Sequence, residues 1–200
     1  AESSIKLERS LFNVVRIDSA SFFCRRVDGG RTVQERFIIS NGKESSNHSM
    51  DVLNEYKVQP GDDINILNAA YCYNSERDIL IEAPMYLNYL NAYSLKDSST
   101  GATLFQGDEA STVTSVKKRG RRNRVTMYHQ VVSYKDYFAA LYEGRSHRQT
   151  IQFYDWELSP LASLELDKDI NSFDLDLKRG VLYTLNYETD EVWYYDISKF

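Results

Sequence analysis

Part of this chain repeats itself, without a gap, at a separation of 102 residues, and this constrains the fold more than any other feature. Asn74-Ser75-Glu76-Arg77-Asp78-Ile79-Leu80-Ile81 lies over Asp176-Leu177-Lys178-Arg179-Gly180-Val181-Leu182-Tyr183, and Tyr93-Ser94-Leu95 lies over Tyr195-Asp196-Ile197 at the same 102. A second self-match has a separation of 41, placing Leu141-Tyr142 over Leu182-Tyr183 and Tyr154-Asp155 over Tyr195-Asp196. Chains with such internal periods build their fold from like units that bury their faces on one another.

The unit reads as four short strands separated by Asp, Asn, Gly and Ser turns. In the last copy the strands are Asn171–Leu177, Val181–Asn186 and Val192–Ile197. The middle copy has Gln130–Tyr134, Tyr137–Tyr142, Thr150–Trp156 and Leu161–Leu166, and the earlier one Ile64–Tyr73, Ile79–Pro84, Tyr89–Leu95 and Ala102–Gln106. A fainter copy covers Phe12–Ile17, Ser21–Arg26, Thr32–Ile39 and Met50–Tyr56, with Asp28-Gly29-Gly30 and Asn41-Gly42 as tight turns. No stretch holds a helical period over three turns. Fifteen Tyr, nine Phe and two Trp suit half-buried pleated surfaces.

The fold class is therefore all-β, with propeller-like repeats of four-stranded antiparallel blades, about four in the chain. One repeat domain spans 1–200, with blades at 9–58, 62–108, 125–167 and 168–200, a basic inter-blade insert at 109–124, and 3–8 as a closing or outer strand. A β-sandwich or barrel is the alternative, and it leaves the 41-residue match unexplained.

Over residues 62–200 the sequence resembles the TolB-like six-bladed β-propeller family of Bacteroidetes. The resemblance is carried by Phe138-Ala139-Ala140-Leu141-Tyr142-Glu143-Gly144-Arg145, Ile151-Gln152-Phe153-Tyr154-Asp155-Trp156, the segment Leu164 to Phe173 and Arg179-Gly180-Val181-Leu182-Tyr183. It implies a periplasmic or cell-surface location, since members are lipoproteins or secreted envelope proteins, most without an assigned activity. Two hundred residues supply about four blades, so the resemblance covers a piece of such a propeller or a shortened one. An incomplete ring exposes blade faces, which predicts a homodimer.

The functional signals are sparse. Net charge is −5, and residues 151–200 alone hold 11 acids and 4 bases. Most of the compensating positive charge lies in Lys117-Lys118-Arg119-Gly120-Arg121-Arg122-Asn123-Arg124, six bases in eight positions. That run reads as a solvated hairpin insert. Its functional alternative is an anion or nucleic-acid patch through Lys117, Lys118, Arg121 and Arg122, with Tyr128 and His129 available for stacking. The acidic remainder argues against a nucleic-acid partner.

His48, His129 and His147 have no metal-ligand spacing, so no metal is expected. His129, at the start of an inner strand, would face the channel mouth. Asp155 and Asp196 recur with the repeat and read as turn residues. Asp174 and Asp176 share a strand face that reads as solvated, with Ca²⁺ as the alternative. Cys24 and Cys72 read as buried free thiols, a disulfide being the alternative. Nucleotide, zinc-protease and nucleophile-elbow motifs are missing, so no catalytic residue and no cofactor are assigned. The leading expectation is a non-enzymatic binding or scaffold propeller for a protein, peptide or glycan. A hydrolase- or lyase-type propeller with its site at the channel mouth is the alternative.

Overall fold

A computed structural model describes residues 12–28, 31–40, 43–50, 63–95, 99–107 and 111–199. They form four antiparallel sheets in a row. Blade one is β1 (Phe12–Arg16), β2 (Ser21–Asp28), β3 (Arg31–Ser40) and β4 (Lys43–Met50). Blade two is β5 (Ala69–Asn74), β6 (Ile79–Pro84), β7 (Tyr89–Ser94) and β8 (Ser99–Phe105). Blade three is β9 (Tyr128–Ser133), β10 (Phe138–Tyr142), β11 (Thr150–Tyr154) and β12 (Pro160–Glu165), and blade four has three strands, β13 (Ser172–Asp176), β14 (Val181–Asn186) and β15 (Glu191–Asp196). Each sheet is a simple meander. The first strands lie against one another, β1 on β5, β5 on β9 and β9 on β13, and so form the inner edge of the row. This is the all-β, partial propeller that the repeats require.

The faces between blades make the core. Phe23 of blade one packs on Leu80, Tyr93 and Leu95 of blade two. The other face of blade two, through Ile81, Ala83, Leu90 and Ala92, meets Tyr128, Val131, Phe138, Ala140, Tyr154 and Trp156 of blade three. Ala139, Leu141, Ile151 and Phe153 then meet Phe173, Leu175 and Leu182 of blade four. Strands covered on both faces lose their polar alternation, as Ile79–Pro84 shows.

A charged network is buried between blades one and two. Arg25, on β2, pairs with Glu82, on β6, and also donates to the Leu67 carbonyl at 2.9 Å. Glu82 accepts further hydrogen bonds from Tyr71 (2.9 Å), Asn91 (2.9 Å) and Tyr93 (2.7 Å). Burial alone would raise the Glu82 pKa, but Arg25 and these three donors hold it below its ordinary value.

Three expectations from the sequence are corrected. The fourth strand of blade one is Lys43–Met50 rather than Met50–Tyr56, whose remaining residues lie outside those described. The segment KESSNHSM has little strand propensity; its pairing with β3, from Ser40↔Lys43 to Gln34↔Met50, imposes the extended form. Ile64–Tyr73 is not one strand. Asp63 caps Asn65 N–H at 3.1 Å and turns Ile64–Leu67 into a 3₁₀ helix before β5 begins. The basic insert is no hairpin either: it holds helix α1 (Val113–Lys118) and a 3₁₀ turn, Arg121–Asn123. A Thr112/Ser115 capping box starts α1, and Val113 and Val116 fasten it to Ile66, Leu67, Leu87 and Tyr89. Residues 3–8 and the turns Gly29-Gly30 and Asn41-Gly42 lie outside the described residues.

The two repeat separations differ in meaning. At 102 the pairing is reproduced: Asn74 faces Ile79 as Asp176 faces Val181, and Leu80 faces Tyr93 as Leu182 faces Tyr195. At 41 the third strands correspond, Tyr154 with Tyr195, but their partners are Phe138 and Leu182, which are 44 apart. Leu141 and Leu182 therefore sit on opposite faces of their sheets, because the β10–β11 connection is longer: Tyr142 faces Thr150 across seven residues, while Asn186 faces Glu191 across four. The recurring Asp155 and Asp196 have the expected turn role. Asp155 accepts from the N–H groups of Glu157 (3.0 Å) and Ser159 (2.8 Å), and Asp196 accepts from that of Ser198 (2.9 Å).

Candidate binding cleft

A recess lies where β6 turns into β7, β8 leaves blade two, and β10 turns into β11. It is a cleft of ≈ 720 Å³ between blades two and three. Its walls are Asn88, Gln106, Gly107 and Ser111 from blade two, Ser115 and Arg119 from α1, and Met127, Tyr142, Arg145 and Ser146 from blade three.

Each wall is held by local chemistry. Asn88 accepts from the Ser111 N–H at 2.7 Å and the Ser111 hydroxyl at 2.8 Å, tying the exit of β8 to the entry of β7. Gln106 donates across the blade boundary to the Tyr154 hydroxyl at 2.7 Å, and burial pushes that phenol up to about 12. Ser115 lies on α1 and Arg119 caps its C-terminus, and the helix orientation is set by its two buried valines. On the opposite side Gly144, at φ +68°, lets the chain turn sharply enough to present Arg145 and Ser146; a Cβ there would lie 2.4 Å from the Tyr142 hydroxyl.

Beside the cleft, Glu143 bridges two imidazoles. His129 Nε2 is 2.6 Å from one carboxylate oxygen and His147 Nδ1 is 3.1 Å from the other. His129 does sit at the start of an inner strand, and the β10–β11 turn carries Glu143 over to it. The pair is chemically competent to pass a proton. Among the described residues no three His, Cys, Asp or Glu side chains converge as metal ligands.

The basic run is divided by the fold. Arg124 is structural: it pairs with Asp63 at 2.6 Å, lies 5.6 Å from the Tyr86 ring centre, and holds the Asp63 carboxyl below its usual range. Arg119 turns into the cleft. Lys117, Lys118, Arg121 and Arg122 are exposed on the outside of the insert. Tyr128 is fully buried in the core between blades two and three, so its ring is not available for stacking. Asp174 accepts from Tyr134 at 3.1 Å, Cys24 and Cys72 are both buried thiols that form no disulfide with each other, and the side chain of His48 lies outside those described. Arg119 and Arg145 were not separable by sequence as cleft residues. Arg119 is one base among six, and the only mark on Arg145 is the glycine before it.

No family model matches the chain, and no curated protein matches it. Solved structures do. The WD40 domain of Toxoplasma gondii coronin superposes with a TM-score of 0.57 at 9% identity, over 96% of this chain and 43% of that one. Hydrazine synthase of Kuenenia stuttgartiensis gives 0.58 at 10%, over 98% and 49%. Dihydro-heme d1 dehydrogenase NirN, in complex with DHE, gives 0.56 at 12%, over 94% and 35%. The fold is that of a β-propeller. This chain spans less than half the length of those it matches, and at such identities the likeness concerns the fold alone.

Proposed function

We propose that this propeller unit is a non-enzymatic binding and scaffold module that seats a protein, peptide or glycan at the blade end carrying the cleft. The observation that supports this is the cleft itself: a recess of ligand size between two rigid sheets, with ordered polar walls and an apolar floor at Met127. A TolB-like membership and an envelope location belong to this reading through the sequence resemblance only. The test is a glycan and peptide array probed with the wild type and with Ser146→Trp, which fills the recess from an exposed position. Binding lost in the variant supports the reading. A blank array, or binding that survives the indole, overturns it.

The His129–Glu143 pair favours a second reading, a hydrolase- or lyase-type site beside the same cleft. His129→Gln separates the two: it abolishes turnover of a captured ligand if the pair is catalytic and leaves ligand intact in both proteins if it is not.

A contact surface for a second copy is the outer face of blade four. Ile81, Ala83, Leu90 and Ala92, covered by blade three, correspond at 102 to Tyr183, Leu185, Val192 and Tyr194, which are 39%, 38%, 64% and 76% exposed. The positions are built alike, and only one set has a neighbour among the described residues. Light scattering after gel filtration is expected to give twice 23.2 kDa for the wild type and 23.2 kDa for Leu185→Lys/Tyr194→Lys. A monomeric wild type removes this surface.

A further inference from the structure

We propose that the cleft between blades two and three is an anion site that takes a phosphate or sulfate group borne on a small polar ligand. This rests on the reading of that blade end as the binding end, and it names the chemistry recognised there.

The first argument is the charge pattern. Both charged side chains on the cleft wall are arginines, Arg119 and Arg145. In this acidic chain other arginines have found acids: Arg25 pairs with Glu82, Arg77 with Glu157, Arg124 with Asp63, Arg148 with Glu165 and Arg179 with Asp176. Neither cleft arginine has a carboxylate partner among the described residues. Glu143 is the acid nearest to Arg145 in sequence among the described residues, and both its oxygens are taken by His129 and His147.

The second argument is that most of the neutral wall is already satisfied. Asn88 and Ser111 hold each other, Gln106 holds Tyr154, and Ser115 donates to the Thr112 carbonyl at 2.8 Å. Among the described wall residues the charged donors left open to a ligand are thus the two guanidiniums, one from the basic insert and one from blade three, with the Tyr142 hydroxyl beside them. Guanidinium forks match the paired oxygens of phosphate and sulfate, and two like charges across a recess with protein walls focus the field on an anion between them. A volume of ≈ 720 Å³ admits a sugar-sized body behind that group.

The test is calorimetric titration of the full chain at low ionic strength with inorganic phosphate, inorganic sulfate and glucose 6-phosphate. Saturable binding is expected, weakened about tenfold or more by Arg119→Gln and by Arg145→Gln. Arg121→Gln/Arg122→Gln, which alters the outer basic surface, should leave it unchanged. Glucose 6-phosphate binding more tightly than phosphate identifies a sugar-borne anion as the ligand; equal affinities identify the free anion. Circular dichroism and the thermal midpoint check that each variant is folded.

No saturable binding of any of the three overturns the proposal. Equal weakening by the Arg121/Arg122 variant, or none by either cleft variant, overturns it too. If array binding disappears with Ser146→Trp while the anions fail to bind, the binding module stands without its anion site. If the anions bind while the arrays stay blank, the anion site stands alone.

Discussion

Arg25→Met is expected to lower the unfolding free energy by about 3–5 kcal/mol, because it leaves a buried carboxylate without its counter-charge. Arg25 is 4% exposed and Glu82 1%. The three hydrogen bonds that remain on Glu82, from Tyr71, Asn91 and Tyr93, do not replace a full positive charge. Urea unfolding of the single variant and of Arg25→Met/Glu82→Leu measures this, and the double variant should recover much of the loss.

The pH dependence gives the same pair a second signature. In the wild type the folded pKa of Glu82 lies below its reference value of 4.5. The stability linked to it is therefore fully present above that reference and is lost as pH falls through the lower folded value. Without Arg25, burial dominates and raises the folded pKa instead, so protonation relieves the variant as the solution is acidified. The stability gap between wild type and Arg25→Met should thus shrink on going from about pH 7 to about pH 4. A gap that is constant across this range would show that Arg25 does not hold Glu82 ionised.

Trp156→Ala should cost about 3–5 kcal/mol, the ordinary range for emptying a buried indole site. Trp156 is 1% exposed and packs against Phe138 with ring centres 5.6 Å apart, while Phe138 stacks on Tyr154 at 5.4 Å. This aromatic group forms much of the blade-three side of the contact with blade two, and Met127 at the cleft floor belongs to the same cluster. The cavity would therefore loosen the recess as well as the core. Trp156→Phe is the instructive comparison. It keeps a ring in place and removes an indole N–H that has no hydrogen-bond partner among the described residues, so its cost should stay below about 1.5 kcal/mol. Equal losses for Ala and Phe would show that the indole N–H, rather than the packing, matters there.

The sheets were legible in the sequence because β-meanders are local objects. Alternating Tyr, Val and Leu runs bounded by Asn, Asp and Gly predict Val181–Asn186 and Ile79–Pro84 at the bounds observed. The 102-residue match was reliable because two separated stretches keep one spacing and therefore one hairpin length. The 41-residue match misled on β10 and β14 because a connection longer by three residues, an odd number, changes which face a strand presents, and periodicity in the chain does not record that. Helix α1 was missed for a related reason. Six residues carry too little period to stand out, and its valines are helical because Ile66, Leu67, Leu87 and Tyr89 receive them.

The cleft shows the same division more sharply. His129 could be placed at the start of an inner strand from the sequence alone, but its partner Glu143 comes from the far end of β10 and is brought near by strand pairing. The eight-residue basic run looked uniform in the sequence; the fold ties Arg124 to Asp63, turns Arg119 into a recess and leaves Arg121 and Arg122 outside. The sequence by itself determined that this chain is a row of antiparallel blades with one basic insert, since strand period, turn residues and repeat spacing all act over short distances. Tertiary structure alone decided which charges are paired, which apolar face is covered and where a ligand-sized recess opens. Those depend on residues dozens of positions apart, such as Arg119 and Arg145, lining one recess.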